Sequence, residues 1–72
     1  MMNKKLNSWN PADQLPTANG VYEVRESLDW PFAVYAKFVN GVWHEQKNSI
    51  EDAENSSKNT HHLHEWRQVV QN

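Results

Sequence analysis

The sequence predicts a mainly β domain (α+β only in a minor sense): a three- to four-stranded antiparallel meander sheet with one or two short helical turns. Three observations carry that expectation. Asn40-Gly41 stands between two β-rich runs, Ala33 to Val39 and Val42 to Lys47. A third alternating run, Val21 to Glu26, precedes them and is entered through Leu15-Pro16 and Asn19-Gly20. Finally, eight aromatic rings, four of them tryptophan, occur in only 72 residues. Rings of that size each bury roughly 150–250 Å², enough to supply a core where a short chain has little else.

The hairpin is the most specific signal. A two-residue turn that matches strand twist needs positive φ at both central residues, which Asn and Gly tolerate best. The turn fixes a register: Val39 opposite Val42, Phe38 opposite Trp43, Lys37 opposite His44, Ala36 opposite Glu45 and Tyr35 opposite Gln46. Alternation then places Phe32, Val34, Ala36, Phe38 and Trp43 on one face. Tyr35, Lys37, Val39, Val42, His44 and Gln46 take the other. The first face is the expected core. The second is mixed, and Tyr35, Lys37, Val39, Val42 and His44 on it are the candidate partner-binding residues.

The remaining elements are shorter. Ser27 to Pro31 connects Val21–Glu26 to the next strand, and Pro31 keeps Trp30 extended. Asn10-Pro11 resembles a helix cap followed by a first-turn proline, predicting one helical turn over Pro11 to Gln14, flanked by Trp9 and Leu15. Ser49 followed by Glu51 and Asp52 fits a capping pattern, which predicts a short helix from Ile50 to about Asn55. Asn55 to Asn59 then reads as a mobile loop. Thr60 to Val70 fits two patterns. A strand puts His62, His64 and Trp66 on one side; a helix aligns Leu63, Trp66 and Val70. The strand is favoured. Residues 1–8 are expected as a flexible N-terminal segment, and residues 9–70 as a single small domain.

Composition narrows the function classes. The absence of cysteine excludes disulfides and thiolate metal sites. A net charge of −2 gives no general attraction to nucleic acid or anionic lipid. The longest uncharged apolar run, Phe32 to Ala36, is far too short to span a membrane. Lys4 and Lys5 are followed by Asn7 to Asn10 rather than an apolar signal segment. A soluble, cytoplasmic protein is the expectation.

A spaced series of residues adds a family likeness. Trp9, Leu15-Pro16, Gly20, Tyr22, Val24, Gly41-x-Trp43 and Thr60-His61 before Trp66 together resemble short phage and prophage proteins of unknown function, the DUF551-like domains. The likeness spans residues 9 to 66. The chain departs from that pattern at its end, where His62, Leu63 and His64 separate Thr60-His61 from Glu65-Trp66, and where a proline-rich close is absent. The resemblance implies a phage or mobile-element accessory protein, acting in the host cytoplasm, and implies no catalytic activity.

His61, His62, His64 and His44 form the metal candidate, but any one backbone conformation brings together only two or three of them. No metal and no cofactor is assigned. The serines fall in expected loops without a Gly-x-Ser-x-Gly elbow, and Glu51, Asp52 and Glu54 read as a solvated helix face. Two glycines 21 positions apart cannot build a phosphate cradle. The expectation is a non-enzyme. Single-stranded nucleic-acid binding would use Tyr35, Lys37 and His44 as a stacking platform, yet the chain lacks the positive groove such binders carry. A protein–protein interaction module fits best. Its partner is a host protein, such as a defence or nucleic-acid-processing protein, or a second copy of the chain. The nucleic-acid-binding β-domain and the His-based metal protein are the alternatives.

Overall fold

The computed structural model describes residues 8–25, 33–60 and 64–69. It contains β1 (Gly20–Arg25), β2 (Val34–Val39), β3 (Val42–Trp43), α1 (Ile50–Glu54) and β4 (Glu65–Arg67). The strands form one antiparallel sheet in the order β3-β2-β1-β4. This is the mainly β class with one short helix. Expectations placed on Phe32, on the connection through Trp30-Pro31, on His61, His62, Leu63 and Val70, and on residues 1–7 lie outside the described residues.

The hairpin forms as its turn chemistry requires. Asn40 has φ +52° and Gly41 φ +87°. Val39 pairs with Val42 and Phe38 with Trp43, and the His44 amide donates to the Lys37 carbonyl. Beyond that point the expected register fails by one residue. Tyr35 exchanges both backbone bonds with Lys47, at 2.9 and 2.7 Å, rather than pairing with Gln46. Glu45 and Gln46 therefore both oppose Ala36. A bulge of this kind bends the strand that carries the extra residue, and β3 at this point turns its outer edge to new partners. The Glu45 amide donates to the Lys58 carbonyl, and the Thr60 amide donates to the Trp43 carbonyl. Thus Lys58–Thr60, expected within a loop and its end, lies along β3 as a further sheet edge, with His44 bridged to Asn59.

This pairing forces the sheet to curl. Thr60 sits beyond β3, and His64 immediately precedes β4 at the opposite end of the strand order. In a flat sheet those positions would be roughly 19 Å apart, at about 4.8 Å per strand. Four residue steps of chain reach at most about 14 Å. The curl brings the inner face together on itself: Tyr22 on β1 meets both Trp43 and Trp66 edge-on, at 6.1 and 5.0 Å between ring centroids. Phe38 packs on Trp43 in the same manner at 5.0 Å. Tyr22, Val24, Val34, Ala36, Phe38, Trp43 and Trp66 form one buried cluster. Edge-on ring pairs contribute on the order of 1 kcal/mol beyond area burial.

Short elements pin the curl at its margins. The strand pattern of the tail holds: Glu65–Arg67 pairs with β1, and Trp66 points inward. Ser49 caps α1, its hydroxyl accepting from the Asp52 amide at 3.1 Å. Pro11 to Gln14, expected as one helical turn, forms a single turn closed by one backbone bond of 3.1 Å from the Gln14 amide to the Pro11 carbonyl. Leu15 is 43% exposed and closes no edge of the core; Pro16 beside it is buried instead. Among the described residues, no helix is long and apolar enough to cross a membrane.

Candidate functional site

The outer face of the β2–β3 hairpin carries the residues singled out above. Tyr35, Lys37 and Val39 alternate outward between buried Val34, Ala36 and Phe38. Val42 opposes Val39 at the turn and is 39% exposed, whereas its neighbour Trp43 is 2% exposed. The turn itself is braced. The Asn19 side-chain carbonyl accepts from the Asn40 amide at 2.9 Å, and its amide group donates to the Asn40 side-chain oxygen at 3.4 Å. The Val39–Val42 pair is therefore held on a fixed tip.

The five candidates do not form one open patch. Lys37 Nζ donates to the Glu54 carbonyl at 3.0 Å, which places the end of α1 on this outer side. The His44 Nδ1–H donates to the Ser56 carbonyl at 2.8 Å, since a carbonyl can only accept. Lys37 and His44 thus anchor α1 and its exit rather than offering free charge. Tyr35 is half-buried at the far end of β2, beside Lys47. What remains outward at the turn is Val39 and Val42.

A second feature adjoins this one. Glu45, Lys47, Asp52, Asn55, Ser56, Ser57 and Lys58 line a shallow polar groove of about 500 Å³ between the β3 extension and α1. Its two carboxylates and two ammonium groups balance, so it favours neither anions nor cations. The sequence reading assigns none of these residues a binding role, because the bulge at Glu45-Gln46 and the edge pairing of Lys58 create the groove.

The histidines separate. His44 faces outward, while His64 is buried on the inner face, edge-on to Trp43 at 5.6 Å. One ion cannot be shared between opposite faces of a sheet. Among the described residues, no three His, Asp or Glu side chains converge as ligands. The stacking platform is equally thin: Tyr22, Phe38, Trp43 and Trp66 are buried, and Trp9 already carries two arginines over its ring.

That last arrangement went unread in the sequence. Glu23-Val24-Arg25 on β1 and Glu65-Trp66-Arg67 on β4 are matching triplets, paired antiparallel about Val24 and Trp66. Each glutamate then faces the other strand's arginine: Arg25 Nε to Glu65 at 2.8 Å and Arg67 Nε to Glu23 at 2.9 Å. Both guanidiniums lie against the Trp9 ring, at 4.2 and 4.4 Å from its centroid. The signal was present in the repeated Glu-apolar-Arg pattern. Only the pairing of β4 with β1 gives it meaning.

Tyr22 has a clearly displaced acidity. Burial pushes its hydroxyl above the ordinary tyrosine value of 10.0. The hydroxyl donates to the Ala18 carbonyl at 2.7 Å, which ties the segment before β1 to the sheet.

No protein-family model matches this chain, and no curated protein or solved structure does either.

Proposed function

We propose that this chain is a small accessory protein of the phage or prophage type that works without catalysis, as a protein–protein interaction module in the host cytoplasm. Its docking surface is the outer side of the β2–β3 turn. The observation that carries this reading is the Val39–Val42 pair, outward on a braced turn, with Val42 left exposed in a domain that buries the adjacent Trp43. A rigid apolar tip loses little freedom when a partner covers it. The accessory setting rests on the family likeness of Trp9, Leu15-Pro16, Gly20, Gly41-x-Trp43 and the closing Trp66. The partner is a host protein or a second copy of the chain.

Val42→Asp and Tyr35→Ala, each in the full chain, test the proposal. Melting temperature is compared with self-association by light scattering and with retention of host proteins on the immobilised chain. Val42→Asp is expected to abolish self-association, or retention of a protein the parent holds, with melting nearly unchanged. Tyr35→Ala, half-buried beside Lys47, weakens binding less and stability more. A monomer that both variants unfold contradicts the proposal.

A further inference from the structure

The N-terminal strap and the β4 edge form a site whose occupant is already visible. β4 has only three residues, and β1 pairs with one of its sides. On the other side Asn10 exchanges both backbone bonds with Trp66, at 2.7 and 3.2 Å, and its side-chain amide adds a third at 3.2 Å. The strap grips both faces of the edge. Trp9 lies on the outer face against Arg25 and Arg67, while on the inner side the Trp66 indole N–H donates to the Gln14 carbonyl. All these contacts join positions far apart in the chain, so none depends on the covalent connection between strap and sheet.

We propose that the β4 edge, with Arg25 and Arg67, is a recognition site for an extended peptide segment bearing an aromatic side chain, occupied here by the chain's own Trp9-Asn10. The strap defines what the site accepts. Backbone pairing with Trp66 takes any extended segment. The two guanidiniums select an aromatic ring beside it, because their charge is attracted to the ring face. Glu23 and Glu65 hold the guanidiniums in place by ion pairs that do not involve the ring. A tethered occupant benefits from a high effective concentration, so a partner segment enters only when the strap is released. This site is separate from the hairpin tip, and neither depends on the other.

The test uses the full chain carrying Trp9→Ala and a synthetic peptide of residues 8–14, followed by NMR. In Trp9→Ala the Trp66 amide, which donates to Asn10, should exchange at least tenfold faster with solvent, while amides of the β1–β2 ladder change less than twofold. Added peptide should then shift Trp66 and the Arg25 and Arg67 Nε signals saturably, at least tenfold more tightly than in the parent chain. The same peptide with its Trp replaced by Ala should not. Val42→Asp should leave this binding as it is, which separates it from the hairpin proposal. Unchanged Trp66 exchange, no response to the peptide, or loss of the whole fold in Trp9→Ala overturns the site. The parent chain offers a second check: its Trp66 amide should exchange at least tenfold faster than the slowest sheet amides, and equal rates would show that the strap does not open by itself.

Discussion

The two faces of the sheet are built from different physics. The inner face is aromatic and aliphatic, with rings meeting edge-on, and Tyr22 near its middle. The outer face is assembled from ion pairs, a ring in contact with two guanidiniums, and side chains that reach backbone carbonyls. The difference shows how a domain this small is stabilised. Burial on one side supplies the driving force. On the other side, surface ion pairs of this kind are each worth about 1 kcal/mol or less, and serve mainly to seat Trp9 and α1. Function is therefore most easily altered on the outer face without losing the fold.

The comparison is broken most severely at Trp43. Trp43→Ala should cost about 3–5 kcal/mol, comparable with the whole stability of a small domain. Urea titration measures it, and a shift of a few tenths would move the core elsewhere. Gly41→Val comes next, because φ +87° is strained for a β-branched residue. A loss of about 1–3 kcal/mol is expected, with broadened signals for Val39 and Val42 if the turn slips.

Two tryptophans sharpen the contrast within the inner face. The Trp66 indole N–H is bonded to Gln14, whereas that of Trp43 is buried and finds no acceptor among the described residues. Trp66→Phe should therefore cost more than Trp43→Phe, by about 1 kcal/mol of hydrogen bonding, read from paired denaturation curves. Tyr22 gives a pH signature. Its hydroxyl acidity is lowered by burial, so the folded pKa lies above the unfolded value of 10.0. The unfolded chain then loses the proton first as alkali is added. The stability this tyrosine contributes is intact below pH 10.0 and declines as pH rises from there through the folded pKa. Tyr22→Phe should flatten that alkaline decline, and an unchanged decline would assign it to another group.

The sequence disclosed what short-range chemistry determines. Asn40-Gly41, the Ser49 cap and the inward alternation of Val34, Ala36 and Phe38 are all decided within a few residues. Long-range pairing was less accessible. The bulge at Glu45-Gln46 goes together with the pairing of this strand with Lys58–Thr60 on its far side, and no local pattern announces that contact. The candidate face was readable as a set of alternating positions, but not its division. Lys37 and His44 are drawn to carbonyls of α1 and its exit, which leaves Val39 and Val42. The Glu-apolar-Arg triplets were legible in principle. Reading them required knowing that β4 returns to β1 in antiparallel register about Trp66.

The smallest expected effect gives the most direct test. Val42 and Trp43 are adjacent in sequence and point to opposite faces. Urea denaturation of Val42→Asp beside Trp43→Asp compares the same new carboxylate on each side of the sheet. The account predicts that Val42→Asp stays within about 0.5 kcal/mol of the parent, as exposed substitutions do, while Trp43→Asp leaves no folded protein. Similar losses for the two variants would contradict it, because both sides of the hairpin would then be core.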